Sequence, residues 1–293
     1  DPAWSSNLDA LAGSIRAVGF TWVRSVLKFE ERTDDWLIAC AEAELKVLLV
    51  TTSDTVTEDG DFEHTARSAR IYEHDCAAFQ IGNEPDEVSP SSWTLAEAEL
   101  TRLGRAFRAE MPAARLICAG LASGNPEYLE GVGLEWADAI AVHPYGQQPE
   151  PGWPRNGWGV DSDVETLLAR YRAKLLERYR GTGKPIWVTE YGAKRAEFRS
   201  ADERGEYYGR MLTQVAASGC EAVFPFKWED AGVPGFGQLD ANRRPTPALT
   251  AVRLAIAGLS SATEGGVNVP DYTIDPETQA QIDALGWTPA GSY

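Results

Sequence analysis

The chain has 293 residues, 43% of them hydrophobic, with 44 acidic against 27 basic side chains and a net charge of −17. That length and apolar content suffice for one large core, and a single α/β barrel commonly has this size. The acidity excludes nucleic acid and anionic membrane surfaces as partners, because phosphate binding needs a basic face; it suits a neutral substrate, or solubility alone.

In chain order, Leu8, Leu11, Ile15 and Val18 make an apolar helical stripe. The β-rich runs Thr21–Val26, Lys46–Val50 and Ala78–Gly82 follow. Thr94 and Glu97 then have capping-box spacing ahead of a helix. After the run Arg115–Ala119, Asn125-Pro126 reads as an N-cap with proline at the first helical position. Ala139–His143 precedes a long helical face through Val164, Leu167, Leu168, Tyr171, Leu175 and Tyr179. Pro185–Thr189 leads to a second capping-box pair, Ser200 and Glu203, and then to Ala222–Lys227. Pro247 opens a last helix to about Ala257, with Gly258 placed to stop it.

Short β runs alternating with helical patterns predict a parallel sheet with helices outside, and the nearly all-apolar runs predict strands covered on both faces. The fold class is α/β, a (β/α)8 TIM-type barrel, yet only seven runs are present. The first strand is missing or is supplied by the C-terminal tail, residues 259–293, where Gly266-Val267-Asn268-Val269 is a strand candidate and Asp275-Pro276 opens a short helix. The alternative is a tail that packs on the barrel, and residues 1–258 form the barrel in either case. No internal repeat and no interdomain linker precede Gly258.

In a parallel barrel the reactive side chains gather at the C-terminal ends of strands. Those ends carry Arg24, Thr51-Thr52-Ser53, Asn83-Glu84-Pro85, Ser123, His143-Pro144-Tyr145, Glu190-Tyr191 and Trp228-Glu229-Asp230. Two carboxylates on facing strand ends can flank a glycosidic bond, one as proton donor and the other as nucleophile. The donor must hold its proton near working pH, which a neighbouring negative nucleophile favours, whereas Arg24 beside Glu190 keeps the nucleophile ionised.

Phe79-Gln80-Ile81-Gly82-Asn83-Glu84-Pro85-Asp86 resembles the fourth-strand motif of clan A glycoside hydrolases. Ile186-Trp187-Val188-Thr189-Glu190-Tyr191-Gly192 resembles their seventh-strand nucleophile motif. Phe20-Thr21-Trp22-Val23-Arg24 is similar to the second-strand arginine motif, and Ala141-Val142-His143-Pro144-Tyr145-Gly146 to the sixth-strand His-x-Tyr. Gly237-Gln238-Leu239-Asp240 with Arg244-Pro245-Thr246-Pro247-Ala248 resembles the segment entering the last helix. The order matches when the seven runs are counted as strands two to eight, and families 5, 39 and 128 are the neighbours within the clan. Where family 5 members place a histidine after strand three, this chain has Thr51, Thr52 and Ser53.

The resemblance implies a retaining glycosidase, endo-acting or else exo-acting, on a β-linked polysaccharide or oligosaccharide, with Glu84 as acid/base and Glu190 as nucleophile. Arg24, Asn83, His143, Tyr145 and Trp228 are the expected substrate-binding residues, and Trp153 and Trp158 are candidate sugar platforms in the loop after the sixth strand. The competing readings are a non-catalytic carbohydrate-binding barrel and a cell-wall or phage lytic glycosidase. No cofactor and no metal are expected: Cys40, Cys76, Cys118 and Cys220 form no CxxC pair, and His64 and His74 read as surface residues. A Cys40–Cys76 bridge stays open, and Cys118 reads as core. A monomer is expected. No apolar run reaches the roughly 18 residues of a membrane span and no leader opens the sequence, so an extracellular, processed enzyme is expected, with a cytoplasmic one the alternative.

Overall fold

The computed structural model of the chain describes residues 7–52, 55–56, 61–86, 95–121, 128–144, 184–217, 219–229, 235–240 and 243–263. The elements are α1 (Leu8–Ala17), β1 (Trp22–Val26), α2 (Glu31–Glu42), β2 (Lys46–Val50), α3 (Phe62–Ala69), β3 (Ala78–Asn83), α4 (Glu97–Glu110) and β4 (Leu116–Leu121). After them come the short α5 (Tyr128–Gly131), β5 (Ala139–Val142), β6 (Ile186–Tyr191), α6 (Ala201–Ala217), β7 (Ala222–Pro225) and α7 (Pro247–Thr263).

All seven expected strands form, and they pair in parallel in sequence order from β1 to β7. The sheet is a nearly closed barrel; among the described residues no strand lies between β7 and β1. β7 ends at Pro225, two residues before the expected Lys227, where a residue without an N–H interrupts the ladder.

Alternation along the strands divides the core in two. Leu48, Val50, Ala78, Ile117, Ala139, Ala141, Trp187 and Phe224 fill the barrel interior, with Trp22 edge-on to Trp187 at 5.2 Å. The opposite rows, such as Val47, Leu49, Phe79, Ile81 and Val188, pack under the helices with Leu100, Leu103, Phe107, Tyr208 and Val215. This arrangement leaves only the C-terminal rim of the barrel open to polar side chains that point inward.

Helix ends follow the sequence in part. Glu203 N donates to Ser200 Oγ at 3.1 Å, as the capping spacing predicts. α4, by contrast, begins at Glu97 and is capped by Glu99, whose carboxylate accepts from Ala96 N at 2.9 Å, so Glu97 is not the capping-box acid. α7 runs through Gly258 to Thr263, because a glycine costs a helix only about 1 kcal/mol relative to alanine and Leu259 packs against the core. The Asn125-Pro126 cap, the 164–179 helical face and the tail candidates lie outside the described residues.

All four cysteines are free, so the Cys40–Cys76 bridge does not form. Burial pushes the Cys40, Cys76 and Cys118 thiols up to about 12, which leaves them unreactive at neutral pH. His64 and His74 are exposed, and Cys118 is buried in β4, as expected. No helix among the described residues is long and apolar enough to cross a membrane.

Gly104 tests the packing of α4 on the turn Leu134–Trp136 that precedes β5. A Cβ there would fall 2.1 Å from the buried Trp136 indole. Gly→Ala in a helix ordinarily stabilises by roughly 1 kcal/mol. Here Gly104→Ala should instead destabilise by about 1–3 kcal/mol through overpacking, read as a lower urea midpoint at unchanged m-value.

Candidate active site

Five strand ends bring polar side chains to the open rim. Arg24 projects inward from β1 and makes three side-chain hydrogen bonds. Its Nη1 donates to Glu190 Oε1 at 2.5 Å, its Nη2 to Asn83 Oδ1 at 2.5 Å and its Nε to Gln80 Oε1 at 3.1 Å. The pair is nearly dry, with Arg24 and Glu190 side chains 14% and 9% exposed. A charge taken that far from water needs an opposite charge and filled hydrogen bonds, and the planar guanidinium supplies both.

The partners of Arg24 are themselves fixed. Gln80 Nε2 donates to Gly82 O at 2.9 Å, and Gly82 N donates to Thr51 Oγ1 at 2.7 Å. Thr51 is thereby a buried brace for the turn that ends β3. Gly82 has φ +87°, and the chain turns again at Glu84 with φ 48°, a left-handed value unusual for a residue with a side chain. Glu84 N donates to Gly120 O at 2.8 Å, which holds this turn against β4.

His143, fully buried beyond β5, links the two carboxylates. Its Nδ1 lies 2.8 Å from Glu84 Oε1 and 3.9 Å from Glu190 Oε2, and its Nε2 lies 3.0 Å from Thr189 Oγ1. A neutral ring protonated at Nδ1 satisfies both hydrogen bonds, donating to Glu84 and accepting from the Thr189 hydroxyl. The ring fits only because residue 120 is glycine, since a Cβ there would lie 2.0 Å from Nε2. The register of β4 against β5 shifts at this point, and that of β6 against β7 shifts between Val188 and Tyr191, where Thr189 and Glu190 both reach the site.

The segment after β7 completes the described rim. Trp228 is half-buried, edge-on to Phe20 at 6.3 Å, and lines one cavity with Arg24 and Glu190. From behind, the Tyr208 hydroxyl donates to Phe226 O at 2.8 Å, and buried Arg204 donates to Phe236 O at 2.6 Å and Ala193 O at 3.2 Å. α6 thus ties the loop after Glu190 to the segments around Trp228. Burial raises the Glu229 carboxyl on the same rim above its ordinary range, against the opposing pull of Arg243 and Lys227.

The structure therefore brings together Arg24, Asn83, Glu84, His143 and Glu190, with Trp228 on the same rim. Tyr145, Trp153 and Trp158 lie outside the described residues. Sequence reasoning gave no role to Gln80, Thr189 or Gly120, and named Thr51 only as one of three polar residues at a strand end. Gln80 did carry a signal, as a fully buried polar residue within an otherwise apolar run. Glu84, His143 and Glu190 are also the one group among the described residues whose donor atoms could share a cation, lying within 4.8 Å of one another, although Arg24 already holds Glu190.

No protein-family model matches the sequence, and no curated protein matches it. The fold, by contrast, is shared with many solved structures. A family 39 glycoside hydrolase from Bacteroides cellulosilyticus WH2 superposes with TM-score 0.70 at 18% identity, over 87% of this chain and 61% of that one. A glucosidase from Croceicoccus marinus gives 0.67 at 13% identity, over 85% and 62%. The catalytic domain of the major endoglucanase from Xanthomonas campestris pv. campestris gives 0.62 at 14% identity, over 87% and 89%. The chain thus spans about three fifths of the first two. At these identities the likeness is one of fold.

Arg24→Met should leave Glu190 buried without its cation and destabilise the protein by about 3–5 kcal/mol near neutral pH. Urea denaturation near neutral pH should show the deficit as a lower midpoint at unchanged m-value.

Proposed function

We propose that the protein is a retaining glycoside hydrolase that cleaves β-glycosidic bonds of an oligosaccharide or polysaccharide by double displacement. One observation carries the reading: carboxylate oxygens of Glu84 and Glu190 lie within 4.8 Å of each other at the barrel mouth. Retaining enzymes hold their two carboxyl groups about 5–5.5 Å apart, whereas inverting ones need roughly 6.5–9.5 Å to admit a water between carboxylate and sugar. The shared fold of the solved glycosidases supports the same class of reaction.

The roles follow from what each group touches. Glu190, ionised and held by Arg24, attacks the anomeric carbon while Glu84 gives its proton to the departing glycosidic oxygen. The bond from anomeric carbon to that oxygen breaks, and an ester to Glu190 forms. Glu84, now a carboxylate, takes a proton from water, whose oxygen attacks the same carbon and releases Glu190. The Glu84 side chain is 22% exposed against 9% for Glu190, which suits an acid that must meet both leaving group and water. Asn83 gives its carbonyl oxygen to Arg24, so its Nδ2 remains to donate to the sugar 2-hydroxyl. His143 orients Glu84, and the Trp228 ring offers an apolar face to a sugar.

Turnover of 4-nitrophenyl β-glycosides tests this. Glu84→Gln should lower turnover by roughly 10²–10⁴-fold on substrates with poor leaving groups and much less on the nitrophenyl ones, because only the former need a proton donor. Glu190→Ala should abolish turnover on both. Proton NMR of the first-formed sugar should show the β anomer. Near-normal activity in both variants, or an α product, would overturn the proposal.

A further inference from the structure

His143 can serve Glu84 in two ways. A proton on Nδ1 makes the ring a donor to Glu84 Oε1, 2.8 Å away. A proton on Nε2 alone makes Nδ1 an acceptor, and Glu84 then holds its own hydrogen against the ring. The hydrogen bond made at the far nitrogen settles which form is present. That nitrogen, Nε2, lies 3.0 Å from Thr189 Oγ1, and both side chains are buried.

The surroundings fit one form. Nε2 is the one hydrogen-bond partner of the Thr189 hydroxyl among the described residues, and a buried hydroxyl hydrogen left without an acceptor is costly. The hydroxyl therefore donates, and Nε2 carries no proton. Nδ1 carries it instead, facing two acceptors, Glu84 Oε1 at 2.8 Å and Glu190 Oε2 at 3.9 Å. β6 is shaped to deliver this hydroxyl. Trp187 and Thr189 share its inward row, whereas Val188 packs under the helices. The register shift before Tyr191 then brings Glu190 inward as well, so two consecutive polar side chains reach the rim. Gly120, where a Cβ would lie 2.0 Å from Nε2, lets the ring sit deep enough to meet the hydroxyl.

We propose that Thr189 is a positioning residue that places the transferable proton of Glu84 on Oε2. This rests on the glycosidase reading above. With Nδ1–H bonded to Oε1, a protonated Glu84 uses Oε1 as acceptor and carries its hydrogen on Oε2. A hydrogen on Oε1 would lie against a fully buried ring, away from any substrate, whereas the Glu84 side chain as a whole is 22% exposed. In the first step the Oε2–H bond breaks as the proton passes to the glycosidic oxygen, which leaves with the electron pair of its bond to the anomeric carbon. The resulting carboxylate keeps Nδ1–H on Oε1 and takes the proton of the attacking water on Oε2, so the ring has the same tautomer in both steps. Without the hydroxyl, Nε2 takes up a proton. The neutral ring then accepts Oε1–H at Nδ1, or the imidazolium holds Glu84 as carboxylate, and in both forms Oε2 has no proton to give.

Nitrogen-15 NMR of the histidine rings in the full chain tests this without substrate. The chain has three histidines, and His64→Gln and His74→Gln identify the signals of the two exposed ones. At neutral pH the His143 ring should carry hydrogen on Nδ1 and none on Nε2. Thr189→Val, which keeps the shape and removes the hydroxyl, should put hydrogen on Nε2 in at least about a fifth of the rings, and Thr189→Ser should not. On β-glycosides with poor leaving groups Thr189→Val should lower kcat roughly tenfold, with a much smaller loss on 4-nitrophenyl β-glycosides, and Thr189→Ser should recover the former. A ring protonated at Nε2 in the unaltered chain, an unchanged ring in Thr189→Val, or an equal loss of kcat on both substrate classes would refute the role of Thr189. If the unaltered chain turns over no glycoside, the glycosidase reading fails by itself, and the ring signals still uphold or refute the tautomer assigned to Thr189.

Discussion

The polar rim of the barrel is organised by the Arg24 guanidinium. Arg24 stands on the end strand β1, yet its three hydrogen bonds reach Gln80 and Asn83 on β3 and Glu190 on β6. Those strands are not neighbours of β1 in the sheet, so the guanidinium ties together parts of the barrel that the backbone ladder does not. A charge with so little water around it is tolerated only when its donors are filled, and a lysine would offer a point charge with no fixed fork. The same constraint explains why Gln80 occupies an inward position in an apolar strand: it accepts from Arg24 and donates to Gly82, so both ends of its amide are used.

The second carboxylate is placed by steric means more than by charge. Glu84 sits at a left-handed backbone position immediately after β3, stabilised by its N–H bond to Gly120 O. Gly120 in turn leaves room for the buried His143 ring, whose two nitrogens meet Glu84 and Thr189. Strained backbone at the end of a strand aims one carboxylate, and a glycine on the next strand admits the ring that orients it. The two arrangements meet at the mouth of the barrel, with Glu190 held by Arg24 and Glu84 by His143.

How far this was legible in the sequence differs by residue. The strand runs, their order and the charged residues at their ends could be read because parallel strands buried on both faces have near-continuous apolar sequences, and their polar termini stand out. The pairing of Arg24 with Glu190 was expected on charge grounds, whereas Glu84 and His143 were named only as members of the same rim. Thr51 was named only with Thr52 and Ser53, and Thr189 carried no mark, since a threonine at a strand end is ordinary until its hydroxyl is seen accepting from Gly82 or meeting a ring nitrogen. Gly120 was invisible for a different reason: its function is to have no side chain, and the atom it makes room for lies 23 positions away in the chain. The helix ends misread at Thr94-to-Glu97 and Gly258 failed because local capping signals and propensities are worth about 1 kcal/mol and yield to packing, as Leu259 shows.

By itself the sequence determined the alternation of elements, the count of seven strands and the chemical types gathered at one end, because periodicity and strand-end position follow from local geometry alone. Only the tertiary structure decided which groups touch. The 2.5 Å pairing of Arg24 with Glu190 spans 166 residues, and the approach of Glu84 to Glu190 within 4.8 Å depends on barrel curvature and register shifts that no short stretch encodes. The two carboxylates were legible as residues; the distance between them, on which the proposed chemistry turns, belongs to the folded barrel.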